Sequence, residues 1–204
     1  MLLTYMHLDD TSFDKKAVSA LAAALAVRNA LPLLGQCDAP AVVSHKPSGQ
    51  PYIEGHENIK ISISHSAGHV LVGASEKLIG VDIEQLAPLR ENVLKRTYLR
   101  DERIYVERAA DPDRAFFEVW TRKEAYAKAC SEGLRRVMIA LVCDEIGLLY
   151  RMKGPGGEPL YCKAYDDIAG AAACVCCAER SFPQRISVFE PDKSWICAHL
   201  PDRS

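Results

Sequence analysis

The central helix of the chain is predicted by one stretch, Phe116-Phe117-Glu118-Val119-Trp120-Thr121-Arg122-Lys123-Glu124-Ala125-Tyr126-Ala127-Lys128. The stretch has no proline or glycine, and we expect a helix over residues 116–130. Residues four positions apart meet on one helical face, so Trp120, Glu124 and Lys128 should lie in a row. A Glu-to-Lys pair at this spacing is also common on exposed helices. By itself, the row fits both an ordinary surface pair and a functional face.

A second acidic motif lies upstream, in Ile79-Gly80-Val81-Asp82-Ile83-Glu84. It predicts a buried strand on which Asp82 and Glu84 share one face, while Val81 and Ile83 point into the core. Two neighbouring carboxylates repel each other, and a proton, a cationic partner or a divalent metal ion relieves the repulsion. Oxygen ligands alone favour a hard ion such as Mg²⁺, which also accepts phosphate oxygens.

The chain contains an internal echo of one turn motif. Pro47-Ser48-Gly49-Gln50-Pro51-Tyr52 resembles Pro155-Gly156-Gly157-Glu158-Pro159-Leu160-Tyr161, and each segment precedes alternating apolar residues typical of strands. We therefore predict an α+β fold made of two similar halves, residues 1–86 and 87–204. Each half would pack a long helix on a small antiparallel sheet.

Two local elements of the first half can be predicted in more detail. An apolar helix should run from Asp14 to Leu31 and end at Pro32 and Gly35. A hairpin should join Ile59–His65 to Val70–Ala74 through the turn Ser66-Ala67-Gly68-His69.

Composition limits the classes of function. A formal net charge of -2 over 204 residues gives no overall attraction to nucleic acid or to anionic membranes. No secretory signal is visible, and the apolar run Ala17–Val27 is shorter than the roughly 20 residues of a membrane span. These features predict a cytoplasmic protein with no nucleic-acid or membrane partner.

The cysteines do not predict a metal or redox site. Among the eight, Cys174 and Cys177 form a C-x-x-C, but no second pair or nearby histidine completes a zinc site. The surrounding residues 171–178 predict a buried strand in which free cysteines act as small apolar side chains.

Four motifs together are similar to those of the 4′-phosphopantetheinyl transferases, and most of all to the pseudo-dimeric, surfactin-synthetase-activating type. They occur in the family's order between residues 46 and 128, and the last is the most specific. They are Lys46-Pro47-Ser48-Gly49-Gln50-Pro51, Ser62-Ile63-Ser64-His65-Ser66, Gly80-Val81-Asp82-Ile83-Glu84 and Trp120-Thr121-Arg122-Lys123-Glu124-Ala125-Tyr126-Ala127-Lys128.

The resemblance implies a pseudo-dimer with its active site in the cleft between the halves, and it assigns roles to eight residues. Mg²⁺ would be held by Asp82, Glu84 and Glu124. Coenzyme A, as substrate, would be bound by Lys46, Ser64, His65 and Lys123. Either Glu124 or Lys128 would be the catalytic base.

The implied reaction is the transfer of phosphopantetheine from coenzyme A to a serine of an apo acyl or peptidyl carrier protein, as in fatty-acid, polyketide or nonribosomal-peptide synthesis. A non-catalytic module that binds coenzyme A or the carrier is one alternative. A metal-dependent phosphohydrolase or nuclease is another. The duplication favours a monomer, since one chain supplies both sides of the cleft. Members of this family usually carry paired basic residues near the N-terminus, where this chain has Lys15, Lys16 and Arg28.

Overall fold

The computed structural model describes residues 1–9, 13–35, 41–131, 141–149 and 151–201, so Cys37 lies outside the described residues. Its strands are β1 (Leu2–His7), β2 (Val43–His45), β3 (Pro51–Ile53), β4 (Lys60–Ser66), β5 (His69–Ser75), β6 (Ile79–Gln85), β7 (Arg151–Lys153), β8 (Pro159–Tyr165), β9 (Ala171–Cys177) and β10 (Ser187–Val188). Its helices are α1 (Lys15–Leu34), α2 (Glu91–Thr97), α3 (Arg100–Arg108), α4 (Pro112–Cys130) and α5 (Lys193–His199).

The strands form two sheets. The first has the order β10-β1-β5-β4-β3-β2, and all its pairs are antiparallel except β1 with β10. The second has the order β6-β9-β8-β7 and is antiparallel throughout. The predicted α+β class is therefore confirmed. The strand β6, which precedes the predicted division at residue 86, pairs with β9 from Ile79 opposite Cys177 to Gln85 opposite Ala171.

Three apolar clusters hold the layers together. One lies between α1 and the first sheet and includes Leu21, Leu25 and Ile61. A second joins α2, α3 and α4 to the second sheet. The third lies between the two sheets, where Leu71 of β5 and Val81 of β6 belong to one cluster. The sheets thus face each other, and each carries a long helix on its other side.

The helix α1 is longer than the sequence pattern indicates. The Asp14 carboxylate accepts a hydrogen bond of 2.8 Å from the Ala17 N–H and caps the N-terminus. The predicted end before Pro32 is wrong, because Pro32 lies inside the helix and Gly35, with φ of 69°, follows its last residue. Proline removes one hydrogen bond on the exposed side of the last turn, while burial of Leu34 favours continuing the helix.

The apolar character of α1 has a packing explanation. By length and composition alone, α1 could cross a membrane, with a mean hydropathy of 1.6. A core helix passes the same test, and Leu21 and Leu25 are fully buried against the first sheet.

The two predicted local strand elements are confirmed. Ser66 pairs with His69 across a two-residue turn, and Ala67 and Gly68 both have positive φ, as a type I′ hairpin requires. The cysteine-rich segment forms β9, in which Cys174, Cys176 and Cys177 are buried and carry free thiols.

Candidate active site

The site forms where α4 lies directly on β6. Gly80 makes this approach possible: a Cβ atom at that position would lie 2.0 Å from the Ala125 carbonyl oxygen and 2.4 Å from the Ala129 nitrogen. Asp82 lies two residues further along the same strand face. The close contact therefore brings Lys128, one helical turn after Glu124, to the carboxylate of Asp82.

Asp82 is the centre of a buried polar group. Its side chain is nearly inaccessible, and its Oδ1 atom lies 2.7 Å from Lys128 Nζ and 2.7 Å from Ser64 Oγ. The ammonium of Lys128 also donates to Ser64 Oγ at 2.9 Å. The second carboxylate oxygen, Oδ2, is buried and has no hydrogen-bond partner. A buried acceptor without a donor is costly, and a bound cation would satisfy it.

The carboxylates influence one another electrostatically. Burial raises the pKa of Asp82, and the ammonium of Lys128 opposes that shift. Burial also raises the pKa of Glu124 from 4.5 to about 7, helped by the negative charges of Asp82 and Glu84 and opposed by Lys128. The negative charges of Asp82 and Glu84 therefore both act on the carboxylate of Glu124.

Three serines of β4 line β6. Ser62 Oγ accepts a hydrogen bond of 3.0 Å from the Val81 N–H. Ser66 Oγ donates to Glu84 Oε2 at 2.7 Å and accepts from the Gln85 N–H at 3.3 Å. Together with Ser64, these side chains connect the first sheet to the acidic strand of the second.

Two cavities adjoin this group. The first, of about 240 Å³, is lined by the turn after β2, by β4 and by α4, and it includes Gly49, Gln50, Ser62, Glu124 and Lys128. The second, of about 470 Å³, is lined by residues that include Lys15 and His65. Partial desolvation lowers the pKa of His65, and the positive charges of Lys128 and Lys15 lower it further.

Part of the chain, including this site, is similar to known proteins. Residues 78–151 match the family model described as the 4′-phosphopantetheinyl transferase superfamily. This range includes the whole contact between β6 and α4. The comparison thus supports a 4′-phosphopantetheinyl transferase, the family that the sequence motifs resemble.

Several relatives of known name are similar to a longer part of the chain. A 4′-phosphopantetheinyl transferase of Bacillus subtilis is 28% identical over 144 residues, which cover 66% of this chain and 62% of the relative. The 4′-phosphopantetheinyl transferase Sfp of Bacillus subtilis strain 168 is 28% identical over 151 residues, covering 69% and 64%. The 4′-phosphopantetheinyl transferase gsp of Aneurinibacillus migulanus is 31% identical over 88 residues, covering 42% and 36%. The match to each relative thus spans less than two thirds of its length.

The structure brings most of the predicted site residues together. Asp82 and Lys128 are in direct contact, and Glu124 and Glu84 lie within their electrostatic reach. Lys46 is exposed at the start of the turn beside the first cavity, where its Nζ donates to Gln50 Oε1 at 3.1 Å.

The structure does not place Lys123 at the site, although the family resemblance implies that it binds coenzyme A. Its Nζ lies 2.8 Å from Glu102 Oε2, and the two side chains are only 3% and 0% exposed. Consecutive helical residues point about 100° apart, so Lys123 cannot share the face of Glu124. We therefore do not retain Lys123 as a phosphate ligand.

The arrangement around Ser64 also differs from the expected phosphate contact. A serine hydroxyl has a single proton to donate, and that of Ser64 is directed to Asp82. Ser64 is therefore not free to donate to coenzyme A in this arrangement.

Sequence reasoning missed several residues of the site. The serine spacing of β4 was visible, but which carboxylate each hydroxyl meets depends on how two sheets pack. Gly80 lies inside the predicted acidic strand, and a glycine in a strand interior can indicate that another backbone segment approaches the strand closely. Lys15 could not be assigned because only the folded chain brings it beside His65.

Proposed function

We propose that the protein transfers the 4′-phosphopantetheine group of coenzyme A to a serine hydroxyl of an apo acyl or peptidyl carrier protein. Adenosine 3′,5′-bisphosphate would be released. The observation that carries this proposal is the meeting of Asp82, Glu124 and Lys128 beside a cavity at the contact of β6 with α4. The relatives named above are 4′-phosphopantetheinyl transferases, which supports the same activity.

The donor set fits a hard divalent cation such as Mg²⁺. Within the described ranges, no group of three or more His, Cys, Asp or Glu residues is already arranged to hold a metal ion. Asp82 nevertheless has a buried, unpartnered carboxylate oxygen, which is the type of ligand that a hard divalent cation prefers. We propose Asp82, Glu84 and Glu124 as the ligands. When bound, Mg²⁺ would offset negative charge on the pyrophosphate of coenzyme A.

Glu124 is the better candidate for the base. Without a bound cation, a pKa of about 7 makes this carboxylate more basic than an ordinary glutamate. A bound cation would lower that pKa, so the serine proton could pass through a cation-bound water. Lys128, by contrast, donates to Asp82 and Ser64 and so carries its protons in this arrangement. We propose that Lys128 orients Asp82 and faces the leaving phosphate.

The proposed step moves the phosphopantetheine group from one oxygen to another. The serine oxygen of the carrier bonds to the phosphorus that bears pantetheine, and the serine proton passes to Glu124. The bond from that phosphorus to the bridging oxygen breaks. The bridging oxygen leaves with its electron pair on adenosine 3′,5′-bisphosphate, where basic side chains can stabilise its charge.

Coenzyme A would be bound by basic groups from the first sheet and α1. Lys46 stands at the turn that lines the first cavity, and its ammonium can act as a point charge for phosphate. Lys15 and His65 line the second cavity together. The pKa of His65 is lowered mainly by burial and then by the charge of Lys128, with a smaller contribution from Lys15. We propose that this pair meets another phosphate of coenzyme A.

The pseudo-dimeric arrangement is part of the proposal, and two turns support it. In the Lys46–Gln50 turn, the Lys46 N–H bonds to the Gln50 carbonyl at 3.0 Å and the Gly49 N–H bonds to the Lys46 carbonyl at 2.8 Å. The Gly154–Glu158 turn has the same two bonds, at 2.8 and 3.0 Å. Gly49 and Gly157 have φ values of 84° and 83°.

The strand orders support the same duplication. The series β1-β5-β4-β3-β2 of the first sheet corresponds to β6-β9-β8-β7 of the second if β8 takes the place of both β4 and β3. By that correspondence β6 is the counterpart of β1, which favours a boundary before β6 rather than after residue 86. A chain with both halves of the cleft would act as a monomer. We also propose that it acts in the cytoplasm, since α1 packs into the core.

The test is the intact mass of an apo carrier protein incubated with the protein, coenzyme A and Mg²⁺. We expect a gain of one phosphopantetheine group, a loss of rate of about 10²- to 10⁴-fold in Glu124→Gln, and no product with a chelator. Glu118→Gln is the matched control, since Glu118 lies on the same helix but pairs with Arg114. Carriers that stay unmodified while coenzyme A binds tightly would instead support the non-catalytic binding module.

A further inference from the structure

The β4 serines lie along the open edge of β6. β6 is the outermost strand of its sheet, so the edge opposite β9 has no backbone partner among the described strands. Unpaired backbone groups at a buried edge need other partners. Ser62 accepts from the Val81 N–H, and Ser66 accepts from the Gln85 N–H. At the two ends of the acidic motif, the hydroxyl groups of Ser62 and Ser66 thus accept the hydrogen bonds that a neighbouring strand would otherwise accept.

Two of these serines also bind the carboxylates of the motif. Ser64 donates to Asp82 Oδ1 at 2.7 Å, and Ser66 donates to Glu84 Oε2 at 2.7 Å. In both pairs the serine and the carboxylate are 18 residues apart in sequence, so one strand register produces both contacts. Ser64 and Ser66 follow each other on one face of β4.

Ser66 makes its two contacts at once, and this gives it a directing role. The Gln85 N–H fixes the position of the hydroxyl oxygen, and the hydroxyl proton then points to Glu84. Glu84 is only partly buried and has a long, flexible side chain. Without Ser66, the same carboxylate would sample other rotamers away from Asp82.

We propose that Ser66 is a positioning residue that holds the Glu84 carboxylate ready for a divalent cation, an inference that rests on the proposed function. Ser64 does the same for Asp82. The Ser64-His65-Ser66 motif then combines two tasks: its serines orient the metal-binding carboxylates, and the intervening His65 points to the other face of the strand, toward the cavity that it shares with Lys15. Residues that orient metal ligands commonly affect metal affinity by 10- to 100-fold.

The experiment measures Mn²⁺ binding to the full chain by electron paramagnetic resonance, without coenzyme A or carrier protein. We expect Ser66→Ala to weaken binding about tenfold, and Ser66→Thr, which keeps a hydroxyl, to stay within about twofold of the unmodified protein. The matched control is Ser75→Ala. Ser75 donates to Glu179 Oε1 at 2.6 Å, so its loss removes the same kind of bond at a carboxylate outside the site.

The outcomes separate the inference from the proposed function. If Ser66→Ala and Ser75→Ala changed Mn²⁺ affinity equally, the positioning role of Ser66 would be refuted while the metal assignment stood. If the unmodified protein bound no Mn²⁺, the metal assignment itself would fail, and the role of Ser66 would fail with it. Thermal unfolding of both variants shows whether a loss of affinity reflects loss of the fold.

Discussion

Helix α1 on the first sheet forms the first layer, and helix α4 on the second sheet forms the second layer. The two helices bury different side chains. Among the buried residues of α1, Asn29 is the only polar one, and it bonds to Thr4 and to the Leu2 carbonyl. Helix α4 buries Thr121, Arg122 and Lys123 as well as apolar residues. The first layer is thus an ordinary apolar contact, whereas the second keeps charged groups out of water.

The charged groups of the second layer are costly. Lys123 needs the buried carboxylate of Glu102, and the Nε and Nη1 atoms of Arg122 are buried without partners. Apolar residues in such positions are often as stabilising or more so. From this contrast with α1, we infer that the second layer gives up some stability and in return holds polar side chains in a fixed arrangement next to the site.

The largest effect should follow from filling the space where α4 meets β6. In Gly80→Ala, the new methyl would collide with helix backbone atoms at 2.0 and 2.4 Å, which cannot move aside separately. We expect a loss of more than about 3 kcal/mol in the free energy of unfolding, measured by denaturant titration. Transferase activity should fall too, because the helix must shift.

Two other glycines give this prediction its controls. At Gly73 the added methyl would meet only side-chain ends, Ile79 Cδ1 and Val81 Cγ1, both at 2.8 Å, so the cost should be smaller. At Gly147 nothing lies within 4 Å, so alanine should be nearly neutral. If Gly80→Ala were no worse than Gly73→Ala, the tight contact between helix and strand would not be what distinguishes the second layer.

Breaking the buried ion pair should have the next largest effect. In Glu102→Gln, Lys123 keeps its charge but loses its carboxylate partner. The glutamine amide must also take over the hydrogen bonds that Glu102 accepts from the Leu99 and Val142 N–H groups. We expect a loss of about 2 to 3 kcal/mol, measured by denaturant unfolding. Glu107→Gln, at an exposed position of the same helix, should change stability by less than about 0.5 kcal/mol. Equal values for the two variants would mean that the layer tolerates unpaired charge.

Much of the fold was predictable because its elements have strong local patterns. The alternation at Ile79–Glu84 and the uninterrupted stretch at Phe116–Lys128 both match the observed elements. The end of α1 was not predictable from Pro32, because burial of Leu34 outweighs the hydrogen bond that proline removes. The pairing of β6 with β9 joins distant parts of the chain, and no local pattern contains it.

Four members of the site can be placed from the strand and helix periods alone. Asp82 and Glu84 follow from the strand period, and Glu124 and Lys128 follow from the helix period. Lys123 is next to Glu124 in the same motif, but the helix directs its side chain toward Glu102. A position beside a site residue in sequence therefore does not place a side chain in the site. The contacts of Ser66 and Lys15 depend on tertiary packing, which the sequence pattern alone does not reveal.

The pH dependence of stability offers a finer test of the second layer. Because the pKa of Glu124 is raised from 4.5 to about 7 in the folded protein, its contribution to stability is fully present below pH 4.5 and is lost as the pH rises through about 7. In chelator-treated protein, the unmodified chain should lose about 1 kcal/mol relative to Glu124→Gln between about pH 5 and about pH 8, allowing for solvent screening of a partly exposed group.

Added Mg²⁺ provides the control for this measurement. A divalent cation would compensate the ionised carboxylates, so we expect the pH-dependent difference between the two proteins to shrink when Mg²⁺ is present. A difference that stayed constant with pH in chelator would show that Glu124 titrates as an ordinary exposed glutamate. The contrast between an apolar first layer and an electrostatically strained second layer would then be weaker than the structure indicates.

The smallest effect tests whether the first layer also contributes to binding. Lys15 is the first residue of α1 and lines the cavity that contains His65. In Lys15→Gln, we expect the Kd for coenzyme A, measured by calorimetry, to rise about threefold, as for the loss of one exposed charge pair. Lys16→Gln removes the same charge from the next exposed residue and should leave the Kd unchanged. Because the interaction is exposed, high salt should reduce the difference between these variants. If both behaved like the unmodified protein, α1 would be scaffold alone, and the division between the two layers would be complete.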